Sequence, residues 1–125
     1  MSAAAEVRVC DPAGGPPLGI VDGEGDARAI VWPGSGAVMR AMHRVRLGAR
    51  AATVRLEHPG EAVYAVLDGD GRIEDCDSGE RQAVVRGSMV HLDGATPHRF
   101  LAGDDGLDIV GGPAPADPAL YPEGS

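Results

Sequence analysis

Short runs of apolar residues alternate with turn-forming residues along most of the chain. From Asp26 onward the runs are interrupted by PGSG, LGAR, HPG, DGDG, DSGE, RG, DGATP and GDDG, which would space strands about 8–12 residues apart. The DGDG segment reads as a tight hairpin after a buried strand. No stretch keeps a 3.6-residue period long enough for a large helix. The pattern predicts an all-β protein.

The two ends depart from this pattern. Residues 1–25 are rich in Gly and Pro around one short apolar piece, residues 7–10, and they predict an arm strand that lies on the domain or on a partner subunit. The last fifteen residues, GGPAPADPALYPEGS, contain too many prolines for a central strand and predict an extended tail, held by Leu120 and Tyr121. The predicted divisions are an arm (1–25), a β-domain (26–111) and a tail (112–125).

Alternation along the strands predicts which side chains face the interior. In GAVMRAMHRVRL, one face carries three arginines and must be in water. His43 lies on the opposite face and is therefore predicted to point inward. Its companions on that face are Met39, Ala41, Val45 and Leu47.

The same alternation applies to the segments AATVRLEH and PHRFLA. In the first, His58 falls on the inward side with Val54 and Leu56, whereas Thr53 and its alternates face solvent. In the second, His98 shares the side of Phe100. Three of the four histidines are thus predicted to face an apolar interior.

A single inward histidine is commonly a hydrogen-bonded core residue. Burying three imidazoles without partners would cost about 1–3 kcal/mol for each unsatisfied group. A metal ion or a polar ligand would supply those partners, so we expect a functional cluster. The orientation of His91 stays open, because both faces of SMVHL are apolar.

Charge and length narrow the classes of function. The 125 residues suit one domain, and the net charge of −8 argues against binding to nucleic acid or to an anionic membrane. No 18-residue apolar run is present, and the first residues do not resemble a signal peptide. We therefore expect a cytoplasmic protein that contacts neither nucleic acid nor membrane.

Several chemistries are excluded by missing residues and motifs. All 11 basic residues are Arg, so no lysine Schiff base, and hence no pyridoxal phosphate chemistry of that type, is available. Nucleotide-binding glycine motifs and a GxSxG nucleophile are absent. Cys10 and Cys76 do not form a metal-binding pair and are expected to be free thiols.

Two segments resemble the motifs of the small single-domain cupins. HPGEAVYAVLDGDG (58–71) is similar to the first motif and GSMVHLDGATPHRF (87–100) to the second. The resemblance covers about residues 26–111 and implies a jelly-roll β-barrel with an open mouth, commonly a dimer.

In the metal-binding cupins, two His and a Glu of the first motif and one His of the second hold a divalent ion. The resemblance carries His58 and His98 over as ligands. Leu56 and Ala62, however, stand where the first His and the Glu would be. Glu61 is one residue out of phase and is predicted to point away from the barrel.

His43 has the orientation needed to replace a missing ligand. The predicted metal site is therefore His43, His58 and His98 with open positions, which suits zinc best and iron, nickel or manganese less well. The alternative is a site without any metal, in which the imidazoles act as general acid and base.

The remaining pocket residues follow from alternation. Tyr64 shares the side of Ala62 and Val66, so it is predicted either as a catalytic phenol near His58 or as a core tyrosine with a satisfied hydroxyl. The substrate pocket is predicted to comprise Trp32, Met39, His43 and Phe100, with Trp32, Met39 and Phe100 forming its apolar wall.

The resemblance implies two alternative functions. The first is a small-molecule tailoring enzyme of secondary-metabolism type, a cyclase or isomerase such as an aromatic-polyketide cyclase, or else a decarboxylase or oxygenase, acting through His58 and His98. The second is a non-catalytic cupin that has lost its metal site and binds a hydrophobic metabolite. Either would be a homodimer, because edge strands need covering and AVYAVL is apolar on both faces.

Overall fold

The computed structural model describes residues 6–121. The outermost parts of the predicted arm and tail, residues 1–5 and 122–125, lie outside that range. The regular secondary structure of the described residues is almost all β, as predicted. The two short 3₁₀ turns are not long or apolar enough for a membrane span. The strands are β1 (Val21–Asp22), β2 (Gly25–Val31), β3 (Met42–Leu47), β4 (Ala52–Thr53), β5 (Glu61–Asp75), β6 (Arg81–Val85), β7 (Met89–Leu92) and β8 (His98–Ala114), with 3₁₀ turns at Pro33–Ser35 and Pro118–Leu120.

The strands form two antiparallel layers that share β5 and β8. In the first layer the order is β2, β3, β8, β5, β7, and it uses the second half of β8 and the first half of β5. In the second layer the order is β1, β4, β8, β5, β6, and it uses the other halves. Because both long strands pass from one layer to the other, the layers close into a barrel around one apolar core.

Two predicted turns are bends inside these long strands. The segment DGDG, predicted to be a hairpin, lies within β5, and GDDG lies within β8. The pairing of β5 with β8 shifts register next to Gly69, whose φ is 82°. Glycine tolerates this conformation without a steric penalty, so here the glycine-rich segments bend a continuous strand instead of reversing the chain.

Alternation predicts the inward face of β3 but fails beyond its ends. Val45 and Leu47 are buried, whereas Met39, predicted to line the pocket, is 74% exposed. The reason is that β3 begins only at Met42, so its alternation does not reach back to Met39. Similarly, β4 ends at Thr53, which is buried against prediction, and Val54 is exposed.

The chain ends are more closely joined to the barrel than the sequence indicated. Within the predicted arm, β1 pairs with β4, and Leu18 and Ile20 are buried. Residues 7–10 form no strand, unlike the predicted arm strand. Strand β8, which has β3, β4 and β5 as neighbours, continues to Ala114, so the first four of the last fifteen residues do belong to a central strand. Pro113 is accommodated because it lies next to the end of β8.

Gly111 is a position where two backbones approach closely inside the barrel. It pairs with His43 on one side and Tyr64 on the other, and an added Cβ would collide with the Val63 carbonyl oxygen and the Tyr64 backbone. We expect Gly111→Ala to lower the free energy of unfolding by about 1–3 kcal/mol, measured by urea denaturation. Gly19→Ala is the matched control, because nothing lies within 4 Å of its Cβ position. Equal losses in both variants would contradict this packing.

Candidate functional site

Three histidines meet inside the barrel. His43 comes from β3, His58 from the loop before β5, and His98 is the first residue of β8. Their exposed fractions are 1%, 3% and 1%. The predicted inward orientation of all three is confirmed, and the rings of His58 and His98 lie 5.6 Å apart between centroids in an edge-to-face arrangement.

The hydrogen bond of each of these two rings fixes the position of its proton. Nδ1 of His98 is 2.8 Å from the carbonyl oxygen of Thr96, which can only accept, so Nδ1 carries the hydrogen. Nδ1 of His58 is 2.9 Å from Oδ2 of Asp117 and donates to that carboxylate. A neutral imidazole that donates from Nδ1 has its lone pair on Nε2.

Both Nε2 atoms are buried without a partner. Within residues 6–121 they are the two buried side-chain polar atoms that lack a hydrogen bond. Leaving such an atom unsatisfied costs about 1–3 kcal/mol, so buried groups of this kind usually have a ligand or a function. With both imidazoles neutral, the barrel holds two accepting nitrogens on neighbouring rings, and the hydrogen bond at each Nδ1 determines the tautomer.

The segment that follows β8 supplies two residues that sequence reasoning did not assign to the site. Asp117, 7% exposed, accepts from His58, and the Tyr121 hydroxyl is 2.8 Å from Nε2 of His43. The order Asp-Pro is a sequence signal for a capped turn, and Oδ1 of Asp117 does accept from the Ala119 amide. Nothing local indicates its contact with a histidine 59 residues away.

Aromatic side chains surround the histidine pair. The Tyr64 ring lies 5.0 Å from Phe100 and 6.3 Å from His98 between centroids, and Phe100 is fully buried. Trp32 is only partly buried and packs against Tyr121 at 5.1 Å. Tyr64, Phe100 and Trp32 therefore lie near the buried histidines, while Met39 does not contribute to this wall.

Burial governs the protonation of the site. It lowers the pKa of His43 to about 4, with a smaller contribution from nearby His58. It also lowers the pKa of His98, although the hydrogen bond to Thr96 acts in the opposite direction. The pKa of Tyr64 is raised by burial, and that of Tyr121 is raised to about 12. At neutral pH, His43 and His98 are therefore uncharged and both phenols keep their protons.

The interior residues do not fit a three-ligand metal centre. Within the described chain, His43, His58 and His98 do not bring one nitrogen each within 4.8 Å of one another. Nε2 of His43 instead lies 2.8 Å from the Tyr121 hydroxyl. The other two motif positions carry Leu56 and Ala62, which are buried and apolar. The predicted His43, His58, His98 metal set is thus not assembled.

A different group of side chains could hold a metal ion on the surface. Glu61, His91 and Asp93 each offer one ligand atom, and these atoms lie within 4.8 Å of one another. All three side chains are exposed, with His91 Nε2 3.8 Å from Glu61 and Nδ1 3.9 Å from Asp93. Glu61 points out of the barrel as predicted, and His91, whose orientation was open, faces outward too.

The larger grooves of the described chain lie away from the histidine pair. One, of about 420 Å³, is lined by residues of β6 and β7 such as Val84 and Val90. Another, of about 520 Å³, runs past Arg50 and Arg72. Neither is lined by a buried histidine. The residues after β8 cover the site instead.

Several solved structures have a fold similar to that of this chain. A cupin-like protein from Thermotoga maritima matches with a TM-score of 0.70 and 18% identity, over 93% of this chain and 86% of that one. A protein described as a predicted oxalate decarboxylase, also from Thermotoga maritima, matches at 0.67 and 19%, over 83% and 96%. The polyketide cyclase RemF from Streptomyces resistomycificus matches at 0.63 and 17%, over 97% and 89%.

Comparison by sequence gives no further information, because no family model and no curated protein matches the chain. Identities of 17–19% are evidence about fold only. The strands form a nearly closed barrel, in which β5 and β8 belong to both layers. This architecture and the three structural matches agree with the resemblance seen in the sequence. The chain has the β-barrel fold of the cupins.

Proposed function

We propose that this chain acts on a small organic molecule inside its barrel, by acid–base chemistry of the cyclase or isomerase type. The observation that carries the proposal is the pair of buried, unpartnered Nε2 atoms on His58 and His98. Two fixed acceptors of this kind suit a substrate that presents O–H, N–H or acidic C–H groups. Two structural matches, described as a predicted oxalate decarboxylase and a polyketide cyclase, have names that refer to small molecules, which supports the same class.

His58 is the proposed general base. Its Nδ1–H donates to Asp117, so Nε2 is free to take a proton from the substrate, and the carboxylate then stabilises the imidazolium that forms. In an isomerisation or cyclisation the same proton returns to another atom of the substrate. The positioning of His58 by Asp117 resembles in chemistry the base–orienter pairs that recur in enzymes.

His98 and Tyr64 have complementary proposed roles. His98 is neutral and accepts a second hydrogen bond from the substrate at Nε2, which fixes its orientation relative to His58. Tyr64 keeps its proton because burial raises its pKa, and its hydroxyl can donate to an oxygen on which negative charge develops. Since His43, His58 and His98 do not fit a three-ligand metal centre, no step of this proposal uses a metal.

The segment after β8 is the proposed route of substrate entry. The three imidazoles are 1–3% exposed, and Asp117 and Tyr121 are bonded to two of them. We propose that residues 115–121 rearrange when a molecule reaches the two buried Nε2 atoms.

Binding of a two-donor probe tests the proposal. Catechol carries two adjacent hydroxyl donors, whereas 1,2-dimethoxybenzene has the same ring and no donor. We expect catechol to raise the melting temperature and to bind in calorimetry, and the dimethyl ether to do neither. His58→Gln and His98→Gln should each weaken catechol binding by about 10-fold or more. His91→Gln, at the exposed histidine, should leave it unchanged. Binding that is equal for the two probes, or insensitive to both interior variants, would contradict the proposal.

The second candidate is a non-catalytic binder of the same molecules. It is favoured by Leu56 and Ala62 at two positions where metal-binding cupins have ligands, and by the closed interior. The two candidates differ in proton transfer. Incubation of a bound C–H acid in D₂O should incorporate deuterium at carbon if His58 is a base, and the label should disappear in His58→Gln. Binding without exchange in the wild type would favour the binder.

We also propose that the chain works in the cytoplasm as a homodimer. Cys10 and Cys76 are free thiols, which suits a reducing compartment. One outer face of the barrel is apolar, which suits a second subunit.

A further inference from the structure

Three side chains of different ligand types meet on the outside of the barrel. The pairing of β5 with β7 matches Ala62 with Leu92, and the same register continued by one residue sets Glu61 opposite Asp93. His91 lies two residues before Asp93, so it points to the same side of the sheet. Backbone pairing thus brings together an imidazole and two carboxylates, all exposed.

The two carboxylates repel each other in this arrangement. Like charges directly opposite one another across a sheet are destabilising. Among the residues that the structure describes, no arginine forms an ion pair with Glu61 or Asp93. His91 alone lies beside them, with Nε2 3.8 Å from Glu61 and Nδ1 3.9 Å from Asp93. A bound cation would remove the repulsion, and the net charge of −8 attracts cations to the protein.

The donor atoms suit a zinc-type ion. Zinc binds imidazole nitrogen and carboxylate oxygen together, and donors of a tetrahedral site are about 3.4 Å apart. Here one atom from each side chain lies within 4.8 Å of the other two, and rotations of exposed side chains are enough to close the difference. Calcium and magnesium bind almost only oxygen and use more ligands.

The two carboxylates also belong to the two loops that carry the interior histidine pair. Glu61 follows His58 by three residues, and Asp93 precedes His98 by five. The loops are already in contact, because the Ala95 amide donates to the carbonyl oxygen of His58 at 2.7 Å. An ion bound to both carboxylates would therefore join these loops from the outside.

We propose that Glu61, His91 and Asp93 bind one divalent ion of the zinc type, which clamps together the loops that carry His58 and His98. The site is separate from the barrel interior and shares no ligand with it. His91 is 57% exposed, whereas the other three histidines are 1–3% exposed. An ion reaches this site directly from solvent, without movement of the segment after β8.

Zinc titration of the full chain, purified without a metal-affinity step and treated with a chelator, tests the site. We expect calorimetry to show one Zn²⁺ per chain and no binding of Mg²⁺ at the same concentration. His91→Gln and Asp93→Asn should each weaken zinc binding by about 10-fold or more, because each removes one of three ligands.

Two control variants locate the ion. Asp104→Asn changes a carboxylate that is 88% exposed and should keep the wild-type zinc affinity. His58→Gln changes an interior histidine and should keep it too, with circular dichroism confirming the fold. Zinc binding lost in His58→Gln but kept in His91→Gln would place the ion inside the barrel and overturn the proposal. No binding at about 1 mM Zn²⁺ would also overturn it.

Hydrogen exchange tests the clamp. Zinc should slow exchange of the Ala95 amide by about 3-fold or more and raise the melting temperature, and it should do neither in His91→Gln. The Gly48 amide, bonded to Glu24 at the other end of the first layer, should be unaffected. Zinc bound without slowing at Ala95, or with equal slowing at Gly48, would overturn the clamp. Catechol is absent from these experiments, so their failure is distinct from failure of the proposed function.

Discussion

Acidification from pH 6.5 to about 4 should remove about 3 kcal/mol of stability through His43 alone. Burial lowers the pKa of this histidine from 6.5 to about 4 in the folded protein. The unfolded chain therefore binds a proton before the folded one does. This contribution is fully present above pH 6.5 and is lost as the pH falls toward the folded pKa. His98, whose pKa is also lowered by burial, should add to the loss in the same direction.

Comparison with His43→Gln isolates the effect of this one residue. Glutamine does not titrate and can still bond to the Tyr121 hydroxyl. Urea denaturation of both proteins at several pH values between 4 and 7.5 should give a shallower pH dependence for the variant. Carboxylates elsewhere contribute equally to both proteins and cancel in the difference. Parallel curves would mean that His43 is not held neutral in the barrel.

Removing the Asp117 side chain should cost about 2–4 kcal/mol and release the segment that covers the site. Asp117→Ala leaves Nδ1 of His58 buried without an acceptor and also removes the oxygen that accepts from the Ala119 amide. Hydrogen exchange should therefore accelerate at the amides of Leu120 and Tyr121, which bond to residues of the same turn. Denaturation measures the first effect and exchange the second.

Two control variants show whether the lost hydrogen bonds of Asp117 cause these effects. Asp117→Asn keeps an accepting oxygen of the same size and should lose clearly less stability than Asp117→Ala. Asp104→Ala removes a carboxylate that is 88% exposed and should change stability by less than about 0.5 kcal/mol. Unchanged exchange after residue 114 in Asp117→Ala would contradict the role of Asp117 as the residue that holds this segment.

The inward orientation of the buried histidines could be predicted from the sequence, because apolar and polar residues alternate regularly around them. His43 lies in a strand of six residues with a wet arginine face, so its side is unambiguous. Met39 lies outside that strand, and Thr53 and Val54 straddle the end of a strand of only two residues. Alternation gives no information there, and the orientation depends on how the chain leaves the sheet.

Contacts between residues far apart in the sequence explain the bend at DGDG and the roles of Asp117 and Tyr121, which sequence analysis did not predict. DGDG favours a turn locally, yet β8 pairs with β5 on both sides of it, and this pairing keeps the strand continuous. The contacts of Asp117 with His58 and of Tyr121 with His43 join residues far apart in the sequence. Both depend on the path of the chain after Ala114, which a proline-rich segment does not reveal.

For the same reason, the sequence could not show that the described residues do not bring the three predicted metal ligands within 4.8 Å of one another. His43 has the orientation that a replacement ligand would need, and alternation alone could not show that Tyr121 lies against its Nε2. His58 and His98 are left as a pair of acceptors. This pair, and not a three-histidine centre, is what the described residues support.

Long-range ¹H–¹⁵N correlation on histidine-labelled protein at neutral pH tests the central claim most directly, because it reports the protonation of each ring nitrogen. We predict Nδ1 protonated and Nε2 bare on both His58 and His98, with both Nε2 signals shifting when catechol is added and those of His91 unmoved. Protonated Nε2 atoms, or signals at His58 and His98 that ignore the probe, would contradict the account of the barrel as a site with two fixed acceptors.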